Sequence, residues 1–290
     1  MRRTLGASRG VQEEAQAGGG RPRRLLEVTA CWALWIALGE ALDLGESGAR
    51  QETYILLGIP IVLAFQHFVA KRDIRELWLK RAPGVRSKRF LIFAGLALAV
   101  YPAVSALEAL TEDQGFSFFL SGVAAMAGAV AAAYAFGWFS RETLRFLLLC
   151  IATATAWSVG IQLLSDISES LSHPRVFHPE KDLETFITSL LFYVPTVFVL
   201  EEVAFRGAFD SHIHHEGESH GVLTATYVSL LWALWHAPLF GWDAAAVYIV
   251  SMVPMGIFLS IFWRKSGNLG VSGGAHALSD SVRNAISGVP

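Results

Sequence analysis

The sequence predicts an all-α fold, a polytopic bundle of about eight or nine transmembrane helices. Three observations lead to this prediction. Hydrophobic residues make up 53% of the 290 residues and charged residues only 17%, whereas a soluble domain carries about 25% charged residues. The mean hydropathy is +0.44. Apolar runs long enough to cross a bilayer recur from residue 25 onward, which excludes an ordinary soluble globular protein.

Hydrophobic runs bounded by polar or charged residues define the individual spans. A helical run of about 20 apolar residues crosses the hydrocarbon core of a bilayer. Applied along the chain, this criterion predicts spans over 26–44, 54–70, 90–110, 116–138, 144–164, 184–209, 221–240, 244–263 and 270–288. We therefore expect three regions: a disordered basic tail over 1–24, N-terminal transmembrane helices over 25–183, and a core built from the last four spans over 184–290.

The connections between spans differ in their content of lysine and arginine. The tail, the connection 71–89 and the flank 264–265 are basic, whereas alternate connections such as 111–115 lack basic residues. Because basic residues are retained on the cytoplasmic side, this alternation places the N-terminus in the cytoplasm. We expect an integral protein of a prokaryotic plasma membrane whose basic connections touch lipid headgroups rather than nucleic acid.

Three charged residues interrupt the apolar stretch Leu190–Phe209, which reads LLFYVPTVFVLEEVAFRGAF. A charged side chain at the bilayer centre costs about 2.5–3.5 kcal/mol on insertion scales, so each should face protein or water. On an α-helix, Glu202 and Arg206 are four residues apart and share a face, which predicts an ion pair. Glu201 is rotated by about 100° and has no such partner on its helix. We interpret Glu201 as the carboxylate available for chemistry.

Two histidines lie in hydrophobic surroundings within later spans. His236 follows Trp232 by one helical turn, and His276 precedes Asp280 by four residues on the same helical face. Polar residues inside membrane spans are typical of functional sites, so we expect both histidines to share a site with Glu201. Straight spans would place Glu201 and His236 about 15 Å apart in depth. We nevertheless expect their side chains to approach each other.

A histidine cluster, DSHIHHEGESHG, connects two of these spans and suggests a metal site. It contains His212, His214, His215 and His220. The cluster does not form the HExxH zinc motif, because Ser219 occupies the position of the second histidine. We interpret it as a hydrated, partly protonatable cytoplasmic loop.

The expected set of intramembrane groups is suited to hydrolysis by activated water. A converging Glu and His can polarise a water molecule and accept its proton. A second His, backed by Asp, can donate to the oxygen that becomes negative in a tetrahedral intermediate. A serine mechanism is less attractive, because Ser229 and Ser279 do not lie in a nucleophile-elbow sequence.

The motifs EEVAFR, WALWH and HALSD resemble, in order and spacing, the EExxxR, FxxxH and HxxxN/D pattern of the CPBP family. These are intramembrane proteases related to CAAX prenyl endopeptidases and bacteriocin-processing proteins, and the resemblance covers about 184–288. It implies that the last four spans are a catalytic core. It also implies that Glu201 and His236 activate water, that His276 and Asp280 stabilise the oxyanion, and that Glu202 and Arg206 order the site.

Two residues depart from the family pattern. Trp232 replaces the usual Phe, which preserves an aromatic wall and narrows the cavity. Asp280 occupies a position where Asn is common, and an ionised Asp cannot donate a hydrogen bond. We therefore expect Asp280 to orient His276.

The resemblance implies a glutamic-type peptidase without a cofactor, acting on a membrane-associated protein or peptide substrate. Zinc is the alternative, held by Glu201, His236 and His276, which have suitable ligand chemistry. Two non-protease functions also fit intramembrane polar residues. One is a proton- or cation-coupled transporter, and the other is a non-catalytic membrane partner or immunity protein.

Overall fold

The computed structural model describes residues 7–42, 49–80, 135, 137–170, 178–214 and 221–287. Regular secondary structure in these ranges is helical, with a single isolated β-bridge and no β-strand, so the all-α prediction is confirmed. The predicted spans 90–110 and 116–138 lie outside the described residues, apart from a few positions near 137. The number of spans therefore stays a prediction.

Seven long helices are described, and we number them in chain order. They are α1 (Ala7–Ala41), α2 (Ala49–Ala64), α3 (Arg141–Ser170), α4 (Pro179–Leu200), α5 (Gly221–Trp235), α6 (Ala245–Ser266) and α7 (Leu269–Ser287). A π-helix, Phe65–Val69, continues α2. Beyond α4 the chain forms a second π-helix, Val203–Asp210, which we call the π segment, and then the turn Ser211–Ile213. The helix α7 packs against α3, α4 and α6.

The first helix begins at Ala7, within the tail 1–24 that the sequence predicts to be disordered. Extending an existing helix adds one hydrogen bond for each residue ordered and avoids the cost of a new nucleus. The apolar part of α1 thus provides a nucleus from which helix propagates toward the N-terminus.

Three described helices are long and apolar enough to cross a membrane. They are Arg141–Leu164, Gly221–Phe240 and Trp242–Ser266. These ranges agree with the predicted spans 144–164, 221–240 and 244–263. The protein is therefore a membrane protein built as a helix bundle.

An aromatic cluster connects the N-terminal helices to the core. Trp35 of α1 stacks on Phe205 of the π segment and meets Trp235 of α5 edge-on. The Trp35 indole donates a hydrogen bond to the Tyr54 carbonyl at 2.9 Å, and the Tyr54 hydroxyl donates to the Trp235 carbonyl at 3.0 Å. The helices α1 and α2 thereby pack against the π segment and α5.

The basic connection after α2 folds back onto the bundle. Asp73 caps the 3₁₀ turn Ile74–Leu77, and hydrogen bonds from Arg75 lower the pKa of Asp73 to about 2. Beyond the turn, the Trp78 carbonyl accepts a hydrogen bond from the Leu269 amide at 2.9 Å. The connection is therefore tied to the first residue of α7.

Further polar contacts lie at this same end of the bundle. Arg264 binds the buried Asp210 carboxylate, with Nε to Oδ2 at 2.8 Å. Arg72 donates to the Ser211 carbonyl at 2.7 Å, and Lys80 donates to the Arg264 carbonyl at 3.1 Å. Basic residues from separate connections thus meet at one end of the bundle.

Gly207 allows close packing between the π segment and the basic connection. A Cβ at Gly207 would lie 2.3 Å from the Leu77 carbonyl oxygen, which is backbone and cannot rotate away. We expect Gly207→Ala to lower the free energy of unfolding by about 1–3 kcal/mol, as overpacked sites do. Thermal unfolding in detergent would measure the change.

Gly160 provides the matched control, because a Cβ added there meets no atom within 4 Å. We expect Gly160→Ala to leave the stability unchanged or raise it by up to about 1 kcal/mol, since Ala favours helix over Gly. Equal stability of the two variants would show that the close approach at Gly207 is not needed.

Candidate active site

The chain between α4 and α5 sets the depth of the candidate site. The helical path does not end near residue 209 but continues through the turn Ser211–Ile213. Glu201 consequently lies thirteen residues before His214, and His236 lies fifteen residues after Gly221, the first residue of α5. The two residues are therefore at similar depth. The 15 Å offset expected from straight spans resulted from ending the sixth span too early.

Glu201 lies at the junction between α4 and the π segment. Its Oε2 accepts a hydrogen bond from Trp232 Nε1 at 2.7 Å. The same oxygen lies 3.8 Å from Nε2 of His236 and 3.8 Å from Nε2 of His276. The expected approach of Glu201 and His236 is thus found. The Glu201 side chain is 19% exposed, whereas both histidines are buried.

His236 lies just after α5, where a turn leads into the short helix Ala237–Phe240. Its Nδ1 is 2.9 Å from the carbonyl oxygen of Trp232. A carbonyl only accepts hydrogen bonds, so Nδ1 carries the proton and Nε2 of the neutral ring is left as an acceptor. That acceptor nitrogen faces Glu201.

His276 lies between three carboxylates. Its Nδ1 is 3.0 Å from Oε1 of Glu202, and its Nε2 is 3.2 Å from Oδ2 of Asp280. Ionised carboxylates only accept, so both contacts are hydrogen bonds only when the ring carries a proton on each nitrogen. The arrangement therefore favours an imidazolium at His276. The other Asp280 oxygen pairs with Arg283 at 3.1 Å.

Glu202 and Arg206 form the ion pair that their spacing predicts. Arg206 Nη1 lies 3.1 Å from Glu202 Oε1, and both side chains are fully buried. The Arg206 guanidinium also lies over the Trp232 ring, 4.5 Å from its centroid. Arg206 therefore contacts both Glu202, which binds His276, and Trp232, which binds Glu201.

Sequence reasoning missed the donor role of Trp232 and a second group next to the site. Asn284 of α7 donates from Nδ2 to the hydroxyls of Ser189 and Tyr193 of α4, each at 3.3 Å. Asn284 follows Asp280 by four residues and thus lies on the same helical face. That spacing is the signal that could have indicated Asn284, and its hydrogen bonds join α7 to α4.

The structure changes the interpretation of the histidine cluster. His212 is buried, and its Nε2 lies 2.9 Å from Oε2 of Glu27. This contact joins the turn after the π segment to α1. His212 is not part of a hydrated loop, because the helical path continues past it to Ile213. His214 ends that path, and His215 and His220 lie outside the described residues.

The geometry around the expected zinc ligands bears on the zinc alternative. Within the described ranges, no group of three or more His, Cys, Asp or Glu side chains is arranged to hold a metal ion. A histidine binds zinc through the lone pair of a ring nitrogen. His236 offers one at Nε2, whereas both nitrogens of His276 face carboxylates. The nitrogens of His276 are thus better placed to carry protons, which the carboxylates accept in hydrogen bonds, than to bind a metal cation.

The separations around Glu201 have a chemical consequence. A distance of 3.8 Å from Glu201 Oε2 to His236 Nε2 exceeds a direct hydrogen bond. A water molecule bound to both atoms satisfies such a gap. The site thus offers a carboxylate and a neutral imidazole to one water, beside the positive charge of the His276 imidazolium, which can stabilise an oxyanion.

Comparison with known protein families gives a match over part of the chain. Residues 183–282 match the family described as Rce1-like, type II CAAX prenyl endopeptidase. The matched segment includes Glu201, His236 and His276 together with the other three predicted site residues, so the resemblance is confirmed over this part of the chain. No curated protein and no solved structure matched the chain.

Proposed function

We propose that this membrane protein is an intramembrane endopeptidase of the glutamic type, because its residues 183–282 match the Rce1-like family of type II CAAX prenyl endopeptidases. It hydrolyses a peptide bond near a membrane-associated segment of a protein or peptide. One observation carries the proposal: a single Glu201 oxygen lies 3.8 Å from the Nε2 atoms of His236 and His276.

Glu201 and His236 activate the water in this mechanism. Glu201 takes one proton from the water as the water oxygen attacks the scissile carbonyl carbon. His236 accepts the second water hydrogen at Nε2 and thereby orients the attacking lone pair. The hydrogen bond from its Nδ1 to the Trp232 carbonyl fixes the tautomer that this role requires.

His276 stabilises the oxyanion of the tetrahedral intermediate. Both N–H groups of the imidazolium face carboxylates, so His276 acts on the oxyanion through its positive charge and through an Nε2–H that is shared between Asp280 and the oxyanion. Asp280 accepts from His276 Nε2 and so orients the ring, as its acceptor-only chemistry requires. When the C–N bond breaks, Glu201 returns its proton to the leaving amine. The products are a new carboxyl terminus and a new amino terminus, with one water consumed.

Glu202 and Arg206 support these groups without contacting the reacting atoms. Glu202 binds His276 Nδ1 at 3.0 Å, and Arg206 neutralises Glu202 at 3.1 Å. The pair thus holds the His276 ring from the side opposite Asp280. Its burial is tolerable because the two charges offset each other.

Hydrolysis in this proposal needs no metal ion, since the carboxylate is itself the base. We expect the purified enzyme to keep its full rate in 1,10-phenanthroline or EDTA, because the nitrogens of His276 are engaged by carboxylates. The measurement follows cleavage of a quenched-fluorescence peptide with a prenylated CAAX end, the substrate class in the family description.

The non-chelating isomer 1,7-phenanthroline is the control for inhibition unrelated to metal binding. A rate that falls only with 1,10-phenanthroline and returns on adding Zn²⁺ would contradict the metal-free mechanism. The zinc alternative with Glu201, His236 and His276 as ligands would then apply.

The proposal places the protein in a prokaryotic plasma membrane with its N-terminus in the cytoplasm. Basic residues of the connection 71–89 and of the last turn of α6 support one cytoplasmic end: Arg72 binds the Ser211 carbonyl, and Lys80 binds the Arg264 carbonyl. Such clustering is typical of the side on which positive charge is retained. The substrate is a membrane-associated protein or peptide, and nucleic acid has no part in the reaction.

A comparison of membrane proteomes tests the function for any substrate that the cell contains. Cells that contain the wild-type protein should show at least one peptide terminus that is missing when Glu201→Gln replaces it at equal abundance. Identical termini in both, together with liposome flux that depends on Glu201, would favour a transporter and contradict the proposal.

A further inference from the structure

We propose that Trp232 is a positioning residue, which holds the Glu201 carboxylate toward the two histidines through its indole N–H. The inference rests on the proposed function of Glu201 as the base. Phe is usual in the family at this position and lacks the N–H group. This chain therefore uses a contact that the family pattern does not provide.

The contact between the two side chains is short and shielded from water. Trp232 Nε1 donates to Glu201 Oε2 at 2.7 Å, in the range of a charge-assisted hydrogen bond. Trp232 is 2% exposed, so its N–H has little access to water as a competing acceptor. The indole has one N–H, and the Glu201 oxygen that it binds is the one facing both histidines.

Glu202 has Arg206 as a charged partner four residues later, whereas the residue four after Glu201 is Phe205. Glu201 therefore needs a hydrogen-bond donor from another helix. The Glu201 backbone lies at φ −99° and ψ −58°, where α4 changes into the π segment. A Glu side chain has three rotatable bonds, and fixing them costs free energy. The hydrogen bond from Trp232 offsets this cost and selects the orientation that the reaction uses.

Trp232 acts on His236 as well as on Glu201. Its carbonyl accepts from His236 Nδ1 at 2.9 Å, and its ring meets the His236 ring edge-on at 5.6 Å. The ring also meets His276 edge-on, with centroids 5.2 Å apart. One residue of α5 thus contacts the expected base and both histidines.

Arg206 fixes Trp232 from the other side. Its guanidinium lies 4.5 Å from the Trp232 ring centroid and pairs with Glu202. Gly256 leaves room for this arrangement, because a Cβ there would lie 2.9 Å from Arg206 Nη2. The Trp232 ring is therefore held in place before substrate binds.

Trp232→Phe removes the N–H and keeps an aromatic ring over Arg206. We expect kcat for the prenylated CAAX probe to fall about 10- to 100-fold, as loss of a hydrogen bond to a charged group predicts. KM should stay within about twofold, since the contact orients the base rather than the substrate. An aromatic wall alone would affect KM as much as kcat.

Trp235→Phe is the matched control on the same helix. Trp235 is equally buried, and its ring also meets the His236 ring edge-on at 5.0 Å, but its Nε1 has no hydrogen-bond partner among the described residues. Its kcat should stay within about threefold of wild type. Replacement of Trp232 by β-(3-benzothienyl)alanine keeps the shape of Trp without an N–H, which covers the case that Trp232→Phe does not fold. A normal kcat in that variant would overturn the proposal.

An NMR measurement separates this proposal from the function itself. The ¹⁵N–¹H indole resonance of Trp232, identified by its loss in Trp232→Phe, should shift in Glu201→Gln, and the Trp235 resonance should not. An unmoved Trp232 resonance would overturn the positioning role. If the Trp232 resonance shifts in Glu201→Gln but the wild-type protein cleaves no substrate, the contact is supported and the proposed function is contradicted.

Discussion

Glu201→Gln is expected to lower kcat/KM about 10²- to 10⁴-fold while the protein stays folded, since this is the range contributed by a general base. The amide has nearly the same shape as the carboxylate but cannot take the proton of a water molecule. Its oxygen can still accept from Trp232 Nε1, which lies 2.7 Å from Oε2 in the wild type. The variant therefore removes the base and keeps the local packing.

The measurement is cleavage of the prenylated CAAX probe by purified protein, with thermal unfolding to show that the fold is kept. Glu184→Gln is the control, because Glu184 lies exposed on α4, the helix that ends just before Glu201. It should retain the wild-type rate. If Glu201→Gln cleaved the probe at the wild-type rate, Glu201 would not be the base. If Glu201→Gln mainly destabilised the fold, the function as a non-catalytic membrane partner would be favoured.

Arg206→Met is expected to lower the free energy of unfolding by about 3–5 kcal/mol, the usual cost of removing one partner of a buried ion pair. Arg206 and Glu202 are both fully buried, with 3.1 Å between Nη1 and Oε1. Without Arg206 the Glu202 carboxylate loses its arginine partner and keeps the His276 contact at 3.0 Å. The ring of Trp232 also loses the guanidinium that lies 4.5 Å from its centroid.

Thermal unfolding in detergent measures this change, and two variants control it. Arg75→Met removes an arginine of a pair in which the side chains are 45% (Arg75) and 42% (Asp73) exposed, so its cost should be small beside that of Arg206→Met. Adding Glu202→Gln to Arg206→Met removes the uncompensated charge and should recover part of the loss. Equal stability of Arg206→Met and Arg75→Met would show that the buried pair does not stabilise the fold.

The sequence predicted most of the fold and the membership of the site. Span lengths and hydropathy predicted α5 and α6 closely, because the hydrophobic thickness of a bilayer leaves few alternatives. The i,i+4 spacing predicted two contacts, Glu202 with Arg206 and His276 with Asp280, which are found at 3.1 Å and 3.2 Å. Both contacts are local, and local geometry follows from helical periodicity.

Two predictions differ from the structure because they depended on where helices end. The predicted sixth span ends too early, which misplaces Glu201 in depth and puts His212 in a hydrated loop. The structure continues the helical path to Ile213 by way of the π segment, and π-helices have no distinct sequence signal. Helix ends and irregular helices are decided by packing, here against Leu77 and α1.

The sequence by itself determined that the protein is a helical membrane bundle and that Glu201, His236 and His276 belong together. Helical periodicity and the cost of burying charge act within single segments, so they can be read from the chain. Only the tertiary structure decided which carboxylate oxygen faces the histidines and that Trp232 donates to it at 2.7 Å. That contact joins residues 31 apart on different helices, and such pairing depends on how the helices pack.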